Sequence, residues 1–268
     1  MKQFKARIIS ISPSTIKSQD LGNRLLLNYC LVWLQCPQLT QEAKPGQFVM
    51  VNCGGLTTVP RPLSIHQVST DGNLALFFAV WEGGKGTKWL SRRHNGDVLE
   101  IMGPLGNGYQ LPTSQKLLLL GGGIGIAPLY FLAQQALKRN CQVKLLHGAV
   151  TKEYLYPHKL PRGVETIIYT EDGTSGKRGM ITDYLSEFIN WANQVYACGP
   201  IGMYQTMHYQ KKVLGSKPVQ ISLEVRMGCG FGVCFGCTIR TKTGLKQVCK
   251  DGPVFYLNEV NWERSSFL

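Results

Sequence analysis

Four cysteines near the C-terminus of this 268-residue sequence have the spacing of metal ligands. Three of them follow the pattern C-x4-C-x2-C, the fourth comes after eleven further residues, and they are Cys229, Cys234, Cys237 and Cys249. This spacing is typical of plant-type [2Fe–2S] centres, in which a loop wraps the cluster. Glycines stand among them at positions 228, 230, 232 and 236, and without a Cβ they let backbone N–H groups approach the bridging sulfides. The pattern predicts a [2Fe–2S] cluster on these four thiolates.

A zinc knuckle and a set of buried free thiols are the alternative interpretations of this tail. Zinc sites usually show two closely spaced ligand pairs, which the three-plus-one arrangement fits poorly. The remaining cysteines outside the motif have no such spacing, and among them are Cys30, Cys36, Cys53 and Cys141. We expect these to be small core or surface residues.

A second candidate site is a glycine-rich turn between a predicted strand and a predicted helix. The turn follows the apolar run 117–120 and precedes a helical stretch over 126–137. Glycines permit the close approach of a diphosphate, and a helix N-terminus offers free N–H groups and a favourable dipole. The alternative is a tight β-to-α turn without a ligand. We predict a dinucleotide site whose glycines are Gly121, Gly122, Gly123 and Gly125.

Two later turns could complete this nucleotide site. Asp172 follows one predicted strand, and Cys198-Gly199-Pro200 follows another. Because the carboxyl ends of parallel strands meet at one edge of a sheet, we expect both turns to line the same site. Each alone could also be an ordinary strand-ending turn.

Polar motifs of the N-terminal part indicate a further anion site. Arg61-Pro62-Leu63-Ser64 follows a predicted strand, and the Arg61 guanidinium could pair a phosphate with two donors. Ser64 could hydrogen-bond the edge of a ring. The later run Gly83-Gly84-Lys85-Gly86-Thr87 could form a second anion-binding turn. The alternatives are an Arg-Pro turn and a flexible hairpin.

The elements that must position these motifs fall into three zones. Short strands over 4–11, 24–34, 48–51, 74–81 and 98–101 predict a small antiparallel barrel or sandwich. Strands from residue 116 onward alternate with helical stretches, among them 181–191 and 202–213, which predicts a parallel sheet. The cysteine-rich tail is short for an independent core. We therefore predict a multidomain α+β fold: a β-barrel over 1–112, an α/β nucleotide-binding domain over 113–216 and a small cluster domain over 217–268.

Composition narrows the functional classes. With 44% hydrophobic and 17% charged residues, the chain is not of the disordered type. No apolar run reaches the roughly 20 residues of a membrane span, and the first residues are too polar for a signal peptide, so we predict a cytoplasmic protein.

The net charge of +13 comes from scattered lysines and arginines. Anionic nucleotides or an acidic partner would suit it, and a basic nucleic-acid-binding module with structural zinc stays an open alternative.

Taken in order along the chain, the motifs resemble one family. They are similar to those of the electron-transfer subunits of dihydroorotate dehydrogenase type B, within the ferredoxin–NADP reductase superfamily. The motifs that carry this similarity are the cysteine tail and the runs at 61–64, 84–87, 103–108, 121–128 and 198–200. The resemblance implies FAD in the barrel, NAD at the glycine turn and a [2Fe–2S] cluster in the tail. It implies FAD contacts from Arg61, Pro62, Leu63, Ser64, Ala79, Val80, Trp81, Gly86 and Thr87. For NAD it implies the glycine turn, Asp172, Cys198, Gly199 and Pro200.

The resemblance also implies a reaction and a partner. An FMN-containing catalytic subunit would oxidise dihydroorotate to orotate in pyrimidine biosynthesis, within a hetero-oligomer that we expect to be a heterotetramer. Electrons would pass through the cluster and FAD to NAD+, with Ser64 at the reactive flavin nitrogen and Cys198 at the nicotinamide. An oxidoreductase subunit that links NAD(P)H to ferredoxin or to a hydrogenase is the alternative, and the choice of NAD or NADP stays open.

Overall fold

The N-terminal part of the chain is a closed antiparallel barrel. A computed structural model describes residues 2–14, 25–54 and 59–263. The strands of the barrel are β1 (Gln3–Pro13), β2 (Leu26–Gln35), β3 (Phe48–Val51), β4 (Arg61–Val68), β5 (Asn73–Trp81) and β6 (Val98–Leu105). Their order around the barrel is β1-β2-β5-β4-β3-β6. Two short helices, α1 (Pro37–Thr40) and α2 (Lys85–Leu90), contact strand β5.

The second part is a seven-stranded sheet of order β10-β9-β8-β7-β11-β12-β15. Its strands are β7 (Lys116–Gly122), β8 (Gln142–Ala149), β9 (Val164–Thr170), β10 (Lys177–Arg178), β11 (Gln194–Cys198), β12 (Val219–Ser222) and β15 (Val254–Tyr256). All neighbours are parallel except β15, which pairs antiparallel with β12. Its helices are α3 (Ile126–Lys138), α4 (Leu185–Ile189), α5 (Ile201–Tyr209) and α6 (Lys211–Leu214).

The cysteine-rich region lies between two strands of this sheet. It contains the hairpin β13 (Thr238–Thr241) and β14 (Gly244–Gln247), followed by α7 (Val248–Asp251). Because β12 precedes it and β15 follows it, both of its ends are fixed to the sheet edge. No helix in the described ranges is long and apolar enough to cross a membrane.

Two elements join the barrel to the sheet. Strand β5 is buried on both faces: Phe78 and Val80 belong to the barrel core, whereas Phe77 and Ala79 pack with residues of the nucleotide domain. Helix α3 is buried in the same way, because Phe131 contacts the barrel core and its neighbours face the sheet. A strand or helix covered on both sides needs an almost continuous apolar sequence, as these have.

The predicted fold class is confirmed, and the structure corrects three local expectations. The Arg61 motif does not merely follow a strand: it begins strand β4. Pro62 is tolerated there because this end of β4 pairs with β3, whereas pairing with β5 starts only at Ile65. The helix predicted over 181–191 is confined to α4, and the one over 202–213 is divided at Gln210, whose φ and ψ of −82° and 23° leave the helical region.

Candidate functional site

A cleft of about 800 Å³ lies between the barrel and the carboxyl edge of the sheet. The barrel contributes Tyr29 and Trp81 to its walls. The sheet contributes the glycine turn after β7, the turn after β11 and the segment 224–226 after β12. The cleft therefore lies where ligands of open α/β sheets bind, at the carboxyl ends of the strands.

The glycine turn and the Cys198 turn touch backbone to backbone. Gly121 lies opposite Cys198 in the β7–β11 ladder. A Cβ on Gly125 would overlap the carbonyl group of Cys198, and one on Gly122 would lie 2.8 Å from Cδ of Pro200. Only glycine fits at these two positions. The structure thus brings the two predicted turns together.

Cys198 lies beneath this turn, and its neighbours Gly199 and Pro200 line the cleft. Burial raises the pKa of the Cys198 thiol to about 12, and the nearby Glu224 carboxylate adds to the effect. Cys198 is therefore a neutral thiol rather than a thiolate.

The Tyr204 hydroxyl supports the turn after β11 from below, because it donates to the carbonyl of Ser222 at 2.6 Å and accepts from the N–H of Gly199 at 2.9 Å.

Glu224 is a cleft residue that the sequence analysis did not single out. Its side chain opens into the cleft, yet protein surrounds it on the other sides, and this desolvation raises the pKa of its carboxyl group. It follows β12, so its position is that of the other strand-ending residues. Recognising 219–222 as a strand of the parallel sheet would have pointed to it.

Asp172 is at the same sheet edge, but its carboxylate turns into its own loop. Its Oδ1 accepts hydrogen bonds from the backbone N–H of Thr174 at 3.0 Å and from the Thr174 hydroxyl at 2.7 Å. These hydrogen bonds lower the pKa of Asp172. The preceding residue, Glu171, lines the cleft. A contact of Asp172 with NAD stays a prediction.

On the barrel, the structure brings two predicted anion-binding motifs into contact. A Cβ added to Gly86 would lie 2.5 Å from Nε of Arg61 and 3.0 Å from its Cγ. The Arg61 side chain therefore lies directly over the first turn of α2, which includes Thr87. A guanidinium beside the N–H groups of a helix's first turn is chemistry that suits a diphosphate.

The other predicted FAD residues lie on the two faces of their strands. Ser64 is half-buried on β4, as is Pro62. The side chains of Leu63 and Val80 are buried in the barrel core, which leaves only their backbone for a ligand. Ala79 and Trp81 are on the opposite face of β5, and Trp81 reaches the cleft.

The four cysteines of the tail are arranged as two pairs. Cys229 has Cys234 beside it, and Cys249 has Cys237 beside it. The backbone N–H of Cys249 points at Sγ of Cys237 from 3.4 Å. Burial opposes ionisation of Cys229, but hydrogen bonds from the N–H groups of residues 231, 233 and 234 outweigh it and lower its pKa to about 6. Both Cys237 and Cys249 are buried, whereas Cys234 is exposed.

This pairing fits a binuclear cluster. Each iron of a [2Fe–2S] centre needs two protein ligands, whereas structural zinc needs four around one ion. The donor set and its N–H bonds therefore suit [2Fe–2S] and do not favour a zinc knuckle.

The cluster loop packs against the barrel beside the predicted FAD motif. Gly230 has a φ of +84°, and a Cβ there would lie 2.5 Å from Cγ of Met50. Met50 in turn pairs with Pro62 across the β3–β4 ladder. The loop that carries the cysteines is thus one strand away from Arg61 and Ser64.

Comparison with known proteins assigns all three parts. The family described as "Iron-sulfur cluster binding domain of dihydroorotate dehydrogenase B" matches residues 224–261. "Oxidoreductase NAD-binding domain" matches residues 119–209, and "Oxidoreductase FAD-binding domain" matches 28–109. The chain thus contains FAD-binding, NAD-binding and iron–sulfur cluster-binding domains.

Solved structures share this architecture. A chain of the NADH-dependent reduced ferredoxin–NADP oxidoreductase, studied for flavin-based electron bifurcation, is 27% identical with a TM-score of 0.81, over 96% of this chain and 90% of that one. A ferredoxin NADP+ reductase from Neisseria gonorrhoeae is 16% identical with a TM-score of 0.61, over 84% and 94%, and shows the fold alone.

Curated relatives extend over nearly the full length. The dihydroorotate dehydrogenase B (NAD(+)) electron transfer subunit of Caldanaerobacter subterraneus subsp. tengcongensis is 36% identical in an alignment of 254 residues that covers 91% of this chain and 98% of the relative. The subunit of the same description from Bacillus caldolyticus is 38% identical in an alignment of 234 residues that covers 83% of this chain and 89% of the relative. The chain belongs to the family of dihydroorotate dehydrogenase B electron transfer subunits.

Proposed function

We propose that this chain transfers electrons from a dihydroorotate-oxidising partner subunit to NAD+. The observation that carries the proposal is the contact between the cluster loop and β3, which puts the cysteine loop one strand from the FAD motif. The NAD turn faces the same barrel across the cleft. When bound, the cluster supplies single-electron transfer, and the flavin converts single electrons into the hydride that a nicotinamide accepts.

In this proposal, the barrel residues bind and orient FAD. Arg61 neutralises the diphosphate together with the backbone of Gly86 and Thr87, and its position over Gly86 supports this role. Ser64, three residues along the same strand, hydrogen-bonds the ring edge near the reactive nitrogen. The contacting surface is completed by Pro62, the backbone of Leu63, Ala79, the backbone of Val80, and Trp81.

The nucleotide turn holds NAD against that surface. The backbone of Gly121, Gly122, Gly123 and Gly125 receives the diphosphate. Gly199 and Pro200 support the nicotinamide end of the cleft, above the neutral thiol of Cys198. A neutral sulfur at that point suits a hydride acceptor, because it adds no negative charge against the electron pair that arrives. Asp172 is proposed to contact the ribose side through its loop.

We propose that the catalytic partner docks at the cluster loop. Apolar side chains on this loop and the adjoining hairpin are exposed, and they are Phe231, Val233, Phe235 and Leu245. Cys234 is exposed in the same surface, so the cluster would be close to a docked protein. An electron transfer subunit implies a dihydroorotate dehydrogenase B catalytic partner, which we propose to contain FMN and to form a cytoplasmic heterotetramer with this chain.

The domain limits 1–112, 113–216 and 217–268 are part of the proposal.

Co-expression with the catalytic subunit tests this function. We expect the two chains to co-purify and to reduce NAD+ when dihydroorotate is added. The complex that carries Phe235→Asp should already dissociate at protein concentrations at which the wild-type complex stays intact, while its FAD and iron contents stay normal. If the chain does not bind the catalytic subunit but passes electrons from NAD(P)H to ferredoxin, the proposal is contradicted. That result would favour the alternative, an oxidoreductase subunit that links NAD(P)H to ferredoxin.

A further inference from the structure

The segment 151–158, which follows β8, connects the nucleotide domain to the barrel. We call it the bridging segment. The Tyr29 hydroxyl of β2 donates to the carbonyl of Tyr154 at 3.2 Å. The Tyr156 hydroxyl lies 2.7 Å from Nε2 of His66 on β4. The segment is therefore attached to two strands of the barrel.

The same tyrosine is attached to the nucleotide domain through its backbone. The N–H of Tyr156 lies 3.0 Å from Nε2 of His147, and Nδ1 of His147 lies 3.0 Å from the carbonyl oxygen of Gly121. Gly121 is the first glycine of the NAD turn. On the barrel side, Nδ1 of His66 lies 2.7 Å from the carbonyl oxygen of Ala127, at the start of α3.

The proton positions in this network follow from its geometry. A carbonyl oxygen only accepts hydrogen bonds, so both histidines must carry their ring proton on Nδ1. Their Nε2 atoms are then acceptors, and Tyr156 supplies both donors: its hydroxyl to His66 and its backbone N–H to His147. Both imidazoles are buried. A bond lost from this network would therefore leave a buried polar group without a partner.

We infer that Tyr156 is a positioning residue for hydride transfer, because it fixes the orientation of the barrel strand that carries the FAD motif relative to the NAD turn. The inference rests on the proposed function. His66 is two residues from Ser64 on β4, and Gly121 begins the turn proposed to bind the diphosphate. A displacement of about 1 Å between reacting groups costs on the order of a hundredfold in rate. One network that contacts both binding elements therefore controls the approach of nicotinamide to flavin without touching either.

Tyr156→Phe tests this role, with Tyr130→Phe as its matched control. Phenylalanine keeps the ring of residue 156 and removes only the hydroxyl. The Tyr130 ring packs 4.7 Å from His66 and 6.0 Å from the Tyr156 ring. None of the described residues hydrogen-bonds the Tyr130 hydroxyl, so the control removes a hydroxyl from the same cluster and leaves the network intact.

The rate constant for flavin reduction by NADH is measured in single turnovers of the FAD- and cluster-loaded protein. We expect Tyr156→Phe to lower it about tenfold or more, with the dissociation constant of NADH changed by less than about threefold. The long-wavelength absorbance of the nicotinamide–flavin complex should weaken. Hydrogen exchange of the backbone amides at 121–125 should become faster even without ligands. Tyr130→Phe should match the wild type in all of these.

His66→Asn provides a second variant, because its amide can still donate to the Ala127 carbonyl while the acceptor for Tyr156 is lost. It decides the question if Tyr156→Phe does not fold. Wild-type reduction rates and absorbance in the folded variants would overturn the inference, as would an equal loss in Tyr130→Phe. A wild-type protein whose flavin NADH does not reduce would overturn the proposed function and this inference with it.

Discussion

Replacing Gly86 by alanine is expected to weaken FAD binding through Arg61 rather than through the fold. The new Cβ would lie 2.5 Å from Nε and 3.0 Å from Cγ of Arg61, closer than such atoms can approach. The side chain that must move is long and flexible, so the barrel itself can stay in place. The guanidinium, however, would leave the first turn of α2.

The size of the expected loss in FAD affinity follows from the hydrogen bond between Arg61 and the diphosphate that is lost. A hydrogen bond to a charged group contributes about 1.5–3 kcal/mol. Its loss corresponds to a dissociation constant for FAD raised about 10- to 150-fold. Because Arg61 is the only described residue with an atom within 3.2 Å of the new methyl group, Arg61→Ala should produce a similar effect, and the double variant should be no worse than either single variant.

Titration of FAD into the flavin-free protein measures the dissociation constants of the wild type, the two single variants and the double variant. Thermal unfolding serves as the control for folding. The two singles and the double variant should share one raised dissociation constant. Additive losses would refute the reasoning, since they would show that Gly86 and Arg61 act on FAD independently. Wild-type affinity in Gly86→Ala would refute it as well.

Three further predictions concern the other parts of the molecule. Gly125→Ala should abolish measurable NADH binding in calorimetry and destabilise the fold by about 1–3 kcal/mol, since its Cβ would overlap the backbone of the facing turn; normal affinity would contradict this. Cys234→Ser should lower the iron content while FAD stays bound, whereas the buried Cys53→Ser should keep its iron; equal iron loss in both would contradict the assignment. Burial lowers the pKa of His66 to about 3 and that of His147 to about 4, so both imidazoles are neutral in the folded protein. Because the unfolded chain binds protons at these histidines below pH 6.5, the free energy of unfolding should decrease as the pH drops below that value, by about 1.4 kcal/mol per pH unit for each histidine. Urea unfolding between pH 7 and pH 4.5 measures this loss, and a flat profile would contradict it.

Local spacing made the cluster loop and the NAD turn predictable. Ligands of one cluster must be close in sequence to wrap it, and a diphosphate needs its glycines between one strand and one helix. The facing of Gly121 and Cys198 was also predictable, because the carboxyl ends of parallel strands meet at one edge. These features follow from rules that hold within a single supersecondary unit.

Contacts between distant segments were not predictable in this way. Strand β4 was missed because Arg-Pro is typical of a turn, and only its pairing partners explain why proline is tolerated there. Tyr156 carries no motif, and the positions of Tyr156 and Glu224 at the cleft depend on which loops the fold brings there. The seating of Gly230 on Met50 likewise depends on how the tail packs against the barrel.

The most direct test of electron transfer through this chain is its visible spectrum before and after anaerobic addition of NADH, with flavin, iron and zinc assays on the same sample. We expect one FAD and about two irons per chain, and flavin absorbance that NADH bleaches. A colourless protein that retains zinc and does not respond to NADH would contradict it.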